Sequence, residues 1–269
     1  MDIIILFMGT IISVAIVLFG LLFFFVRKQK KAITDTTSIP FSKEWEIFLI
    51  QEVQFYKDLS PEDKIRFQNR VKHFLAITSI TGVKDLDVTD ELKLLVAASA
   101  IIPVFLFDGW EYANLSEVII YDGVVEPNQH NDAEQDGVLL GQVRPFQSKH
   151  VLLLSKQYLI QGFESMNGKS NVGIHEFAHL IDQADGVIDG IPKAFMPEEL
   201  LKPWTKIMYA EIDRIAKNRS DMNPYALTNE AEFFAVACEY FFENPDKFKE
   251  KHGQLYELMN QIFRKEEIQ

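Results

Sequence analysis

The chain has 269 residues, a formal charge of -12 and a pI near 5.0, with 48% hydrophobic and 12% aromatic residues. That composition is too apolar for a disordered protein and can fill the core of one large domain or two small ones. No long basic stripe follows residue 31, which excludes a general nucleic-acid partner, and the single cysteine, Cys238, excludes an intrachain disulfide and a cysteine-built structural zinc site.

Ile3 to Val26 is an uncharged, mostly apolar run, about 36 Å long as a helix, and reads as a transmembrane helix. A cleaved signal peptide fits less well, because the leader is not basic, the apolar run is too long and no A-x-A-like site follows. Asp2 precedes the run and Arg27, Lys28, Lys30 and Lys31 follow it, so the positive-inside rule predicts a single-pass cell-membrane protein whose body faces the cytoplasm. The basic flank would touch lipid headgroups of the bilayer. Residues 1–31 then form the anchor, 32–40 a short polar linker and 41–269 the globular domain.

Trp45 to Leu59 has the apolar spacing of an amphipathic helix, and Ser60-Pro61-Glu62-Asp63 opens a second that runs to about Ala76. Thr89-Asp90-Glu91 opens a third, apolar nearly all round from Leu92 to Ile102 and bent or ended at Pro103, as a core helix would be. Glu117 to Tyr121 and His150 to Ser155 read as strands of a small sheet, with a polar loop at Gln129–Gly137 between them. Ser155 caps a short helix to about Phe163, and Asn167 to Asn171 is a loop before the next one. Helices over Pro197–Asn218, Asn229–Asn244 and Pro245–Lys265 complete a mostly helical α+β domain.

The helix entered after that loop carries His175-Glu176-Phe177-Ala178-His179 and ends at Gly186. At 3.6 residues per turn, His175 and His179 stack on one face and can close on one metal ion, while Glu176, about 100° round the helix, reaches a metal-bound water. With 6 His in 269 residues, such a pattern arises by chance in about one chain in a hundred. Its chemistry is metal-assisted hydrolysis, with zinc as the ion and Glu176 as general base.

A catalytic zinc site takes three protein ligands and leaves a fourth position open, so a partner is needed. Asp185 stands six residues beyond His179, but without the Gly turn that such a ligand uses. A separate helix offers Glu230, Glu232, Glu239 and Glu243, of which the last three share a face. Asp182, three residues after His179, shares the histidine face and could accept an imidazole N–H, a role open to Glu239 as well. His73, His130, His150 and His252 have no partner at ligand spacing and read as surface or core. The run Phe233-Phe234…Phe241-Phe242 reads as core.

His175-Glu176-Phe177-Ala178-His179 followed by Asp182 and Asp185-Gly186, Tyr225-Ala226, Ala231-Glu232-x-Phe234-Ala235-Val236 and Glu239-Tyr240-Phe241-Phe242 together resemble the Mlc titration factor A family of zinc-dependent, gluzincin-type peptidases. The likeness runs from roughly Phe41 to Phe263. It implies that His175, His179 and Glu232 bind one zinc ion, that Glu176 is the catalytic base and that Tyr225 lies at the active site. It also implies a zincin-like fold related to the zinc-binding catalytic domain of anthrax lethal factor, aminopeptidase-like hydrolysis and interaction with a sugar-responsive transcriptional repressor. Family members are generally soluble, so the Ile3 to Val26 segment departs from the pattern. Two functions follow as expectations: a membrane-anchored zinc peptidase acting on a peptide or protein substrate, or a zinc-stabilised regulatory module that captures a partner such as a repressor.

Overall fold

Polar side chains cap the early helices. Ser42 accepts from the Trp45 amide to open α1 (Lys43–Glu52), which α2 (Gln54–Asp58) follows; Ser60 accepts from Asp63 to open α3 (Pro61–Ile77), and Thr89 from Leu92 to open α4 (Asp90–Val104). The computed structural model describes residues 40–84, 86–123, 140–164, 168 and 170–263. The helix expected from Trp45 to Leu59 is two, because buried Val53 takes an extended conformation (φ -112°, ψ 95°) between them.

Among the described residues the sheet has four strands, β1 (Ser79–Gly82), β2 (Leu115–Tyr121), β3 (Gly141–Phe146) and β4 (Lys149–Ser155), in the order β1-β2-β4-β3. β1 and β4 flank β2 in parallel, with α4 crossing from β1 to β2, and β3 pairs antiparallel with β4. β2 and β4 are the two strands expected; β1 and β3 are additions, the first very short and the second a Gly-Gln-Val-Arg-Pro-Phe run with no apolar alternation. Gln147, at φ 53°, supplies the left-handed residue of the tight β3–β4 turn. The Ser155 amide donates to the Leu140 carbonyl at 3.0 Å, and Gly141 lies opposite Leu154. Antiparallel alternation therefore turns the backbone groups of Gln142 and Arg144 towards β4 and those of Gly141 and Val143 towards the outer edge.

After β4 come α5 (Lys156–Glu164), α6 (Val172–Asp182), α7 (Glu198–Ala216), α8 (Glu230–Glu243), α9 (Pro245–Lys251) and α10 (Gly253–Phe263). The single last helix expected over Pro245–Lys265 breaks at His252 (φ -131°, ψ 44°). α4, α6 and α8 form the interior. Gly173 lets α6 close on α4, since a Cβ there would lie 2.1 Å from the Ser99 hydroxyl oxygen. Phe177 of α6 meets Phe74 and Tyr112, at ring separations of 5.9 and 5.0 Å. On the far side of α8, buried Phe233 and Phe234 pack on Trp204 of α7, and Phe241 packs against Phe263 of α10. Burying each such ring stabilises the fold by about 1.5–3 kcal/mol, so Phe233, Phe234 and Phe241 are core, as the sequence indicates, while Phe242 is only half-buried.

The expected placement in a membrane requires correction. Among the described residues no helix is long and apolar enough to cross a bilayer. The apolar α4 has 15 residues, about 22 Å, short of the ~30 Å hydrocarbon core, and the 19-residue α7 carries charges along its length. The Ile3–Val26 segment, most of the 32–40 linker and the Gln129–Gly137 loop lie outside the described residues. A single-pass, cytoplasm-facing protein in contact with the lipid bilayer is accordingly not supported.

Candidate metal centre

α6 begins where Asn171 accepts from the Ile174 amide through Oδ1 at 3.1 Å. One turn separates His175 from His179, so their rings lie face to edge at 4.8 Å between centroids and their Nε2 atoms 3.2 Å apart. α8 begins in the same way: Asn229 Oδ1 accepts from the Glu232 amide at 2.9 Å, which places Glu232 in the first turn. Glu232 Oε2 is 2.9 Å from His175 Nε2 and 3.4 Å from His179 Nε2. The donor atoms of His175, His179 and Glu232 all lie within 4.8 Å of one another, so these three can hold a metal ion. Two imidazole nitrogens and one carboxylate oxygen fit a catalytic site with a position left open.

The electrostatics follow from burial and crowding. Burial would by itself raise Glu232, but hydrogen bonds from His175 and His179 hold its carboxyl well below the usual range. Burial works against a charged His175, yet Glu239, then Glu232, raise its proton affinity well above the ordinary value. Glu176 is 5% exposed, and burial, reinforced by Glu232 and Glu239 and opposed by the two histidines, raises its pKa. The Glu176 carboxylate lies against β3: a Cβ on Gly141 would come within 2.6 Å of Glu176 Oε1. Only glycine leaves room there for the carboxylate beside the strand.

Glu239, two turns along α8 from Glu232, takes the other nitrogen of His175. His175 Nδ1 donates to Glu239 Oε1 at 2.7 Å, and the other Glu239 oxygen accepts from the Asn171 amide at 2.6 Å. Asn171 Nδ2 in turn donates to Glu243 Oε1 at 2.9 Å. With Nδ1–H committed to Glu239, His175 presents Nε2 to Glu232 and His179. Asp182 does not share this role: Oδ2 accepts from the Gly190 amide at 2.9 Å, and buried Oδ1 has no hydrogen-bond partner among the described residues. Burial, offset by that Gly190 bond, pushes Asp182 up to about 6. Asp185 accepts from the Val187 amide at 3.0 Å, and it stands outside the donor group.

Tyr225 sits in the 3-10 turn Pro224–Leu227, which Asn223 caps through the Tyr225 amide. Its ring is 6.0 Å from that of His175. Burial, then the charges of Glu232, Glu176 and Glu239, keep the phenol protonated far above neutrality. The structure thus brings together His175, Glu176, His179, Tyr225 and Glu232. It adds two residues that sequence reasoning missed. Asn171 had a readable signal, an Asn directly before an apolar helix. Gly141 had none, since it matters only through what the fold sets beside it, and Glu243, a ligand candidate by its helical face, instead accepts from Asn171.

Residues 25–264 match the family described as glucose-regulated metallo-peptidase M90, starting further forward than the motifs indicate. An uncharacterized protein of Synechocystis sp. is 27% identical over 235 residues, 83% of this chain and 84% of that protein. Mlc titration factor A of Pectobacterium atrosepticum is 25% identical over 222 residues, 78% of this chain and 82% of that protein. The factor of the same name from Salmonella arizonae is 35% identical over 107 residues, 37% of this chain and 42% of that protein. Matched over most of its length, and with Mlc titration factor A among its relatives as the motifs indicate, the chain belongs to the glucose-regulated metallo-peptidase M90 family.

Proposed function

We propose that this chain is a zinc-dependent peptidase. One arrangement supports that reading: three convergent donor atoms with a further buried carboxylate, Glu176, beside them and against a terminal strand of the sheet. His175, His179 and Glu232 would hold the ion. When bound, it supplies Lewis acidity, polarising a carbonyl and making water acidic near neutral pH. Glu176, whose burial raises its proton affinity, takes a proton from the attacking water and hands it to the leaving amine. Tyr225 keeps its phenolic proton and donates to the developing oxyanion. An extended peptide would lie along β3, where Gly141 and Val143 offer backbone groups and Pro145, with no N–H, ends the ladder. Aminopeptidase-like specificity rests on the family resemblance alone.

The test is zinc stoichiometry together with hydrolysis of aminoacyl and peptide substrates by the wild type and Glu176→Gln. The expected outcome is zinc retained and hydrolysis lost in the variant. A wild type that binds zinc yet cleaves nothing across a broad peptide panel would sink the reading. Glu232→Gln is expected to weaken zinc binding far more than Asp185→Asn; the reverse order moves the third ligand to Asp185.

A second reading, a zinc-stabilised module that captures a transcriptional repressor, is favoured by relatives named as titration factors of Mlc. Those names speak to it more directly than to hydrolysis of any substrate. Capture that survives Glu176→Gln would support it, because a structural ion needs no general base.

A further inference from the structure

His252 is 2% exposed, yet both of its ring nitrogens face carboxylates. Nδ1 is 2.9 Å from Glu211 Oε2 and Nε2 is 2.8 Å from Asp221 Oδ1. The outer oxygens of that pair are also taken: Arg214 donates to Glu211 Oε1 at 2.7 Å, and the Tyr240 hydroxyl to Asp221 Oδ2 at 2.9 Å. Phe248 and Tyr240 close round the imidazole, at ring separations of 5.5 and 5.8 Å. The imidazole thus bridges the buried Glu211 and the more exposed Asp221, and an apolar side chain here would remove that bridge and leave Glu211 Oε2 without this contact.

The groups it joins come from four places in the chain. Glu211 and Arg214 lie on α7, Asp221 in the connection after it, Tyr240 on α8, and His252 at the break between α9 and α10. Arg214 also donates to the Arg219 carbonyl at 3.4 Å. That connection runs from Asp221 through buried Met222 and the capping Asn223 into the turn that carries Tyr225. Tyr240 directly follows Glu239, so the same clamp grips α8 beside the carboxylate that holds His175. Hydrophobic packing of Met222 and Ala226 would hold the turn in place but not its angle, which directional hydrogen bonds define.

We propose that His252 is a positioning residue for Tyr225: by bridging Glu211 and Asp221 it fixes the connection after α7, and hence the place of the phenol beside His175. The assignment rests on the peptidase reading for the role of Tyr225, and the two can fail separately. The first experiment compares hydrogen exchange in full-length wild type and His252→Gln. Amides of residues 222–228 are expected to exchange about tenfold faster in the variant while those of α6 are unchanged; equal exchange over 222–228 overturns the proposal. Should His252→Gln not fold, Tyr240→Phe, which removes one donor to Asp221, is read in the same way.

The second is a double-mutant cycle on hydrolysis. His252→Gln is expected to lower kcat about tenfold with KM and zinc content unchanged, and to cause less than about a twofold further loss when Tyr225 is already Phe. Independent, multiplying losses would mean that His252 does not act through Tyr225, and would overturn the proposal. If the wild type hydrolyses nothing, the peptidase reading fails and the exchange measurement alone decides the clamp.

Discussion

At Gly141 a single hydrogen in place of a methyl group sets the room available to the proposed base. A Cβ 2.6 Å from Glu176 Oε1 cannot coexist with the present carboxylate position. Gly141→Ala is therefore expected to displace Glu176 and lower kcat by about a hundredfold with zinc stoichiometry intact, a split that parallel kinetics and metal analysis would read. Glu239 acts on the metal side. It holds His175 Nδ1 at 2.7 Å, so Glu239→Gln is expected to weaken zinc binding by about 10- to 100-fold in chelator competition. An unchanged affinity would show that the ring needs no such partner. Asp182 and Glu239 were equal candidates on helical spacing, and Asp182 turns instead to the Gly190 amide. Spacing along one helix cannot say which neighbouring backbone will claim a carboxylate.

The pairing of α6 with α8 assembles the centre, and it concentrates acids between the two helices. Glu243 shows the cost. Burial, opposed by its bond from Asn171 and reinforced by Glu239, pushes its pKa up from 4.5 to about 7. A carboxyl with a raised folded-state pKa keeps a proton that the unfolded chain gives up, so stability falls as pH rises from about 4.5 to about 7 and stays lower above. The loss is at most about 3 kcal/mol. Glu243→Gln, with zinc absent, is expected to raise Tm relative to wild type at pH 8 and to leave it nearly unchanged at pH 4. A variant equally stabilised at both pH values would contradict the buried-acid account. The caps of these two helices, Asn171 and Asn229, are of the kind that local sequence rules identify, and both stand one residue before the first helical position. Their second duties are not legible locally: Asn171 reaches Glu239 and Glu243, far along the chain, through its backbone and side-chain amides.

For the molecule as a whole, an ion shared by α6 and α8 would bind the folded state and not the unfolded one. At a free zinc concentration about 100 times its Kd, the gain is about 2.7 kcal/mol, and Tm is expected to fall by about 5–10 °C when a chelator strips the protein. A Tm indifferent to chelation would argue against a site joining the two helices. The charge of -12 leaves solubility and non-specific repulsion of nucleic acid as the global electrostatic effects, whichever functional reading holds. What the sequence determined by itself was local and periodic: the His175–His179 spacing, the capped helices, the apolar faces of α4 and α8 and two of the four strands among the described residues. Those features follow from backbone geometry within a few residues, so they can be read without a fold. Tertiary structure alone decided that β3 runs beside Glu176, that Glu239 rather than Asp182 holds His175, and that the last helix breaks in two at His252; for Glu232, which the motif resemblance already preferred to Asp185, it set the 2.9 Å approach to His175. Each of these depends on which distant segments pack together, and side chains far apart along the chain become neighbours only when the core closes.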